Sequence, residues 1–266
     1  MVINGVGRTI IPALRVDYMF ERYTEKANSA TLPEVQLQPP ELLAAADPSL
    51  GEDRALALLK RADLRAEILG RLSKNAGTMK SHKVKLALVQ HPNTPRHISI
   101  PMLRHLFTFE LMQVALTPAV AADIKRTAED TLMNRLETIS SGERLSLARR
   151  AAGRVAAELL GDPEPRVIHA ALDNSQLTEA EVIRALMRAH APVLLVESVC
   201  AHAKWSLRRD IRVALLRNEN TPLARVLEFA HTLPIRQLRE ILRSGRLPAR
   251  TRKYLLKEID LRDADS

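Results

Sequence analysis

The sequence predicts an all-α protein, built as a right-handed α-solenoid of about five helical repeats. Three observations carry this. The apolar mass is aliphatic: 46% of the 266 residues are hydrophobic but only 3% are aromatic, which suits thin helical layers better than one thick core. Val and Ile never alternate with polar residues for long, and glycine is scarce, so sheets are disfavoured. Helix-start signals recur at a near-regular spacing, the mark of a repeat.

The elements follow in order. Residues 1–49 hold Pro33, Pro39, Pro40 and Pro48 and no sustained periodicity. They read as an N-terminal extension, partly disordered or capping the first repeat, with one helix expected near 13–27. The repeat domain is expected over 50–266. It opens at Ser49-Leu-Gly-Glu52, the Ser-x-x-Glu form in which hydroxyl and carboxylate satisfy each other's backbone N–H groups. Leu86 to Pro95 (LALVQHPNTP) and Val213 to Pro222 (VALLRNENTP) are nearly the same phrase. Each ends in Asn-Thr-Pro after an apolar run. Thr is a good N-cap and Pro suits the first helical position, so helices are expected to start at Pro95 and Pro222. The alternative, that Asn93 and Asn220 are paired ligand contacts, leaves the Thr and Pro unexplained.

Two more capping boxes stand at Ser140-Ser-Gly-Glu143 and Thr178-Glu-Ala-Glu181. The five starts fall near 50, 95, 141, 178 and 222, at intervals of roughly 37 to 46 residues. Each interval has room for three short helices. The last set reads 222–231, 235–243 and 248–259. The set before reads 178–190, 191–203 and 207–217, with Ser206 as cap and Trp205 as hydrophobic staple of its third helix. Apolar residues repeat at helical spacing, as at Val182, Ile183, Leu186 and Met187. A unit this small cannot bury its own apolar face, so stacked units must bury each other's.

The segments QHPNTP (90–95), SGERLSLARRA (141–151), DPEPRVIHAALDN (162–174), AKWSLRRDIRVALLRNENTP (203–222) and RSGRLPARTR (243–252) resemble an uncharacterised bacterial family of HEAT/armadillo-like helical repeat proteins. The resemblance spans roughly residues 50 to 259. It implies the fold and brings no activity with it. Arg144 stands where that family has Lys after Gly-Glu, and Glu219 where its turn has Pro. Both changes are compatible with the fold.

Chemical signals are sparse. Cys200 is the one cysteine, which excludes an internal disulfide and fits a reducing, cytoplasmic setting. No secretory signal is evident. The longest uncharged run, Leu111 to Ala122, has 12 residues, too few to span a bilayer. Cys200 and His202 at i, i+2 point apart on a helix, so no metal site is expected. His169 and Asp173 at i, i+4 read as a surface pair. Gly-x-Gly-x-x-Gly, the P-loop and the Gly-x-Ser-x-Gly elbow are all missing. No cofactor and no catalysis are therefore expected.

Charge is the feature that stands out. Residues 204–257 carry 14 basic and 4 acidic side chains, net +10, against +9 for the whole chain. In armadillo-type repeats the third helix lines the concave face. The last two third helices carry Arg208, Arg209, Arg212 and Arg217, then Arg250, Arg252, Lys253 and Lys257. Arg208 and Arg212 are i, i+4 neighbours; Arg250, Lys253 and Lys257 form one stripe at i, i+3, i+7. Such a groove attracts acidic peptides or phosphates. The expected function is a non-catalytic scaffold that binds an acidic protein partner. The alternative is nucleic acid, with a DNA glycosylase-type activity less favoured, since base stacking needs aromatic platforms and only Trp205, Phe229 and Tyr254 lie in this region.

Overall fold

The structure is a computed structural model that describes residues 40–243 and 247–264. The expectations for residues 1–39, including the helix near 13–27, lie outside the described residues. The chain divides into two units, Met1–Pro40 and Glu41–Ser266. The described helices belong, Pro40 apart, to the second.

Among the described residues there are sixteen α-helices and no strand. In order they are α1 (Pro40–Ala46), α2 (Glu52–Leu59), α3 (Ala66–Lys74), α4 (His82–Gln90), α5 (Arg96–Leu103), α6 (Thr108–Leu116), α7 (Ala122–Met133) and α8 (Ser141–Arg150). Then come α9 (Gly153–Glu158), α10 (Pro165–Leu172), α11 (Glu179–Leu186), α12 (Val193–Ala201), α13 (Arg209–Leu216), α14 (Leu223–Thr232), α15 (Ile235–Arg243) and α16 (Ala249–Ala264). Helices this short are marginal alone in water. Their stability comes from packing.

Where helices pack closely they are chain neighbours or next but one. The next-but-one pairing runs unbroken from α4/α6 to α11/α13, and recurs at α2/α4 and α14/α16. It lapses at α1/α3, α3/α5, α12/α14 and α13/α15. Buried side chains form two clusters, Leu42 to Leu88 and Val89 to Ile259. The division falls inside α4, and Met102 packs against both. Leu42, Ala45 and Leu50 belong to the first cluster. The packed unit therefore begins before residue 50, because Pro48 sits in the turn after α1 rather than in unpacked chain.

The last carbonyls of a helix have no partner within it. Here side chains from two helices further along close them. Asn75, after α3, donates to Ala45 O and Asp47 O beyond α1 (3.3 and 2.8 Å). His91 Nε2, after α4, meets Arg61 O beyond α2 at 2.8 Å. Arg135 reaches from α7 to Arg104 O and Leu106 O at the end of α5. Asn174 reaches from α10 to Ala148 O and Ala151 O at the end of α8. The Trp205 indole donates to Leu172 O at 2.8 Å, and Asn218 to Leu186 O at 2.8 Å. Arg262 in α16 donates to Ala230 O and Leu233 O of α14. These bonds set the C-terminal ends of alternate helices side by side. They trace a relation between helices two apart, where the sequence suggested units of three. A buried carbonyl left bare costs about 1–3 kcal/mol, so the rungs fix the stacking as well as the ends.

Five of these turns share one device. The side chains of Asn75, His91, Asn174, His202 and Asn218 each accept the backbone N–H two residues on. This is the Asx-turn geometry, with an imidazole Nδ1 replacing the amide oxygen twice. With Nδ1 accepting, Nε2 of His91 carries the proton it gives to Arg61 O.

The capping expectations divide. Ser140 and Thr178 form the expected boxes with Glu143 and Glu181. Ser49 does not: its hydroxyl and N–H both bond Asp47, and Gly51 is the N-cap of α2. The Asn-Thr-Pro turns work differently from expectation. Pro95 and Pro222 are the N-caps, with α5 and α14 starting one residue later. Thr94 and Thr221 donate their hydroxyls backward, to Leu88 O and Leu215 O at 2.6 Å. Proline forces the residue before it out of the helical region, which turns the Thr toward the helix it follows. Asn93 and Asn220 donate to carbonyls of earlier turns, so both are structural. Trp205 and Ser206 are also reassigned: Arg208 is the N-cap of α13, and Trp205 is buried as a rung.

Candidate partner-binding surface

The eight basic residues singled out by the sequence have two fates. Around α13 two of the four are engaged by the chain itself. The Arg208 guanidinium lies 3.9 Å from the Glu179 carboxylate. Arg212 donates to Ser206 O at 2.7 Å and Thr232 Oγ1 at 3.0 Å, and sits over the Phe229 ring at 5.5 Å. The two residues placed on one stripe by spacing are therefore held in internal contacts. Arg209 is exposed. Arg217, the C-cap of α13, is half-buried, and its Nε has no hydrogen-bond partner.

On α16 the opposite holds. Thr251, Leu255 and Ile259 form the buried stripe. A spacing of four residues advances only 40° around a helix, so these three define one face. Arg250, Lys253 and Lys257 lie on the far side of it, fully exposed, and Arg252 is exposed on its flank. None of the four meets a carboxylate among the described residues. The far end of α16 is anchored instead: Glu258 accepts from Arg262 at 2.7 Å and meets His231 at 3.1 Å. Burial works to raise the Glu258 carboxyl, and these two bonds outweigh it, holding it below the ordinary value.

One of the eight, Arg217, lines a cleft that the Glu219 carboxylate lines too. The cleft, of about 280 Å³, is also lined by Arg188, Asn218, Asn220 and Pro248, the residue before α16. Arg188, which the sequence did not flag, is bound to Glu158 at 2.8 Å. Its position just after α11 matches that of Arg217 just after α13, which is the signal that could have found it.

Other chemistry is thin. Among the described residues no group of three His, Cys, Asp or Glu is placed to hold a metal. Asp173 pairs with His202 at 3.1 Å, not with His169, because the next-but-one packing brings the end of α12 to the end of α10. Cys200 is buried, and burial pushes its thiol up to about 11. No described helix is long and apolar enough to cross a membrane. No protein-family model matches the chain, no curated protein is detectably similar in sequence, and no solved structure matches it.

Proposed function

We propose that the protein is a HEAT/armadillo-like α-solenoid that acts as a non-catalytic scaffold and binds an acidic protein partner. The basic face of its last helices is the binding surface. One observation supports this above the rest: Arg250, Lys253 and Lys257 form an exposed stripe with which no carboxylate of the described residues makes an ion pair, although Asp260 lies on the same face, while Arg225, Arg236 and Arg239 are all ion-paired. An unpaired stripe of one sign raises the local concentration of an oppositely charged partner and speeds its capture. Arg252, Arg209 and Arg217 extend it. Burial of the single cysteine as an unreactive thiol fits a reducing compartment, and we place the protein in the cytoplasm.

Nucleic acid is the less favoured partner. Trp205 and Phe229 are buried, so two of the three aromatic side chains in the basic region cannot stack on bases. The same loss weighs against a glycosylase.

The test is a salt titration. Fluorescent poly-glutamate peptide, single-stranded DNA, duplex DNA and RNA are each titrated into the full chain, and into Arg250→Glu/Lys253→Glu/Lys257→Glu. The expected result is capture of the peptide at low salt and at least about tenfold weaker capture by the variant. Equal capture by the two overturns the assignment of the surface. Nucleic acid bound more tightly than peptide, with a steep salt dependence, replaces the partner class.

A further inference from the structure

A second surface lies in the other half of the molecule, at the lapse between α3 and α5. From α4 to α13 every helix packs on the next but one, yet α3 and α5 meet only sparsely, Ile98 of α5 reaching Gly70 of α3. The buried core divides in the same region. Between the two helices runs an open groove of about 410 Å³. The half-buried Met79, Ile98 and Met102 are its floor, Ser73 of α3 and the exposed Pro101 flank them, and Lys85, His97 and His105 stand at its rim. No carboxylate lines it among the described residues.

One face of α5 makes this groove. Residues 97, 98, 101 and 102 of α5 stand at i, i+1, i+4 and i+5, and His105 prolongs the line from the turn just after the helix, to roughly 12 Å in all. That is a little over two turns of helix. Pro101 lies inside α5 and has no N–H to give the His97 carbonyl four residues back, so the same face also carries a backbone acceptor that its own helix does not serve.

We propose that this groove receives an amphipathic helix from a partner protein, with an apolar stripe of about two turns flanked by Asp or Glu. The floor takes the apolar side chains. Lys85 supplies a cation and the two imidazoles supply N–H donors to the flanking carboxylates. The apolar residues of such a helix recur at i, i+3, i+4 and i+7, the pattern by which helices seat in grooves, and the absence of any lining carboxylate sets the sign of its flanks. This surface is separate from the α16 stripe and does not depend on it.

The experiment uses two fluorescein-labelled helical peptides with the same leucine stripe, one flanked by Glu and one by Lys. Each is titrated by anisotropy into the full chain and into three variants. The rim variant is Lys85→Glu/His97→Glu/His105→Glu, the floor variant Ile98→Ala, and the control Arg250→Glu/Lys253→Glu/Lys257→Glu. Far-UV circular dichroism checks that each stays folded. The expected result is that the control, in which the α16 stripe no longer contributes, binds the Glu peptide at least about tenfold more tightly than the Lys peptide. The rim variant reverses that preference, and the floor variant weakens both peptides. The proposal is overturned if the Glu peptide does not bind, or if the rim and floor variants bind it as the parent does. Binding lost only in the control places the peptide on α16 instead. Self-association of the chain that the rim and floor variants abolish makes the occupant a second copy, which also overturns it.

Discussion

Four of the basic residues that the sequence singled out stand on or at the ends of α13 and four on α16, and the two helices use them in opposite ways. The eight residues of α13 are packed against α11 and α14, so an arginine there has carbonyls, hydroxyls and rings within reach. Arg212 takes all three. The sixteen residues of α16 bury one stripe and leave the far face open, so Arg250, Lys253 and Lys257 meet only solvent. A guanidinium is a structural bolt where helices crowd and a docking group where they do not. Residue type alone does not say which.

The largest effect that sharpens this contrast is expected just before α13. Trp205 is 2% exposed and closes the Leu172 carbonyl. Trp205→Ala is expected to cost about 3–5 kcal/mol in urea unfolding, and Trp205→Phe less, because only the rung is lost. Close behind is Gly153, at the start of α9. A Cβ there would stand 2.4 Å from the Gln176 carbonyl oxygen, so Gly153→Ala is expected to cost about 2–4 kcal/mol. Stability unchanged by Gly153→Ala would mean that the α10–α11 turn does not press on α9.

Next comes Arg212 itself. Arg212→Ala is expected to destabilise by about 1–3 kcal/mol, and Arg212→Lys to recover little, since an ammonium cannot reproduce the fork geometry. Alanine at Arg250, Lys253 or Lys257 is expected to stay within about 0.5 kcal/mol. If those alanines cost as much as Arg212→Ala, the comparison between the two helices breaks. The smallest effect is the pH response of Cys200. Burial raises its thiol from 9.0 to about 11. The unfolded thiol ionises first, so stability is full below pH 9 and declines as pH rises toward 11. Cys200→Ala should remove that part of the alkaline decline, as measured by paired melts at pH 8 and pH 10.

Much of the local structure was readable residue by residue. The boxes at Ser140 and Thr178 formed because both partners lie within one turn of chain. The helices expected at 222–231 and 235–243 appeared within a residue of those bounds, and the one expected at 248–259 runs on to Ala264. The Asn-Thr-Pro phrase was rightly read as a boundary, but the direction of its threonine was not, because proline's effect on its neighbour outweighed the hydroxyl's preference for a helix start. The groove between α3 and α5 left no local mark at all. It is defined by how sparsely two helices pack, and no window of sequence contains that.

By itself, the sequence determined the all-helical class, the places where helices stop, and the concentration of positive charge toward the C-terminus, since each depends on spacing or on counting. Only the tertiary structure decided which charges are free. Arg208 is answered by Glu179, Arg212 by Thr232, and Trp205 by Leu172. Those partners stand 20 to 33 residues away along the chain, brought within reach by packing between neighbouring helices for Arg212 and between helices two apart for Arg208 and Trp205. A hydrogen bond acts over about 3 Å, and where those few ångströms fall is set by how helices stack.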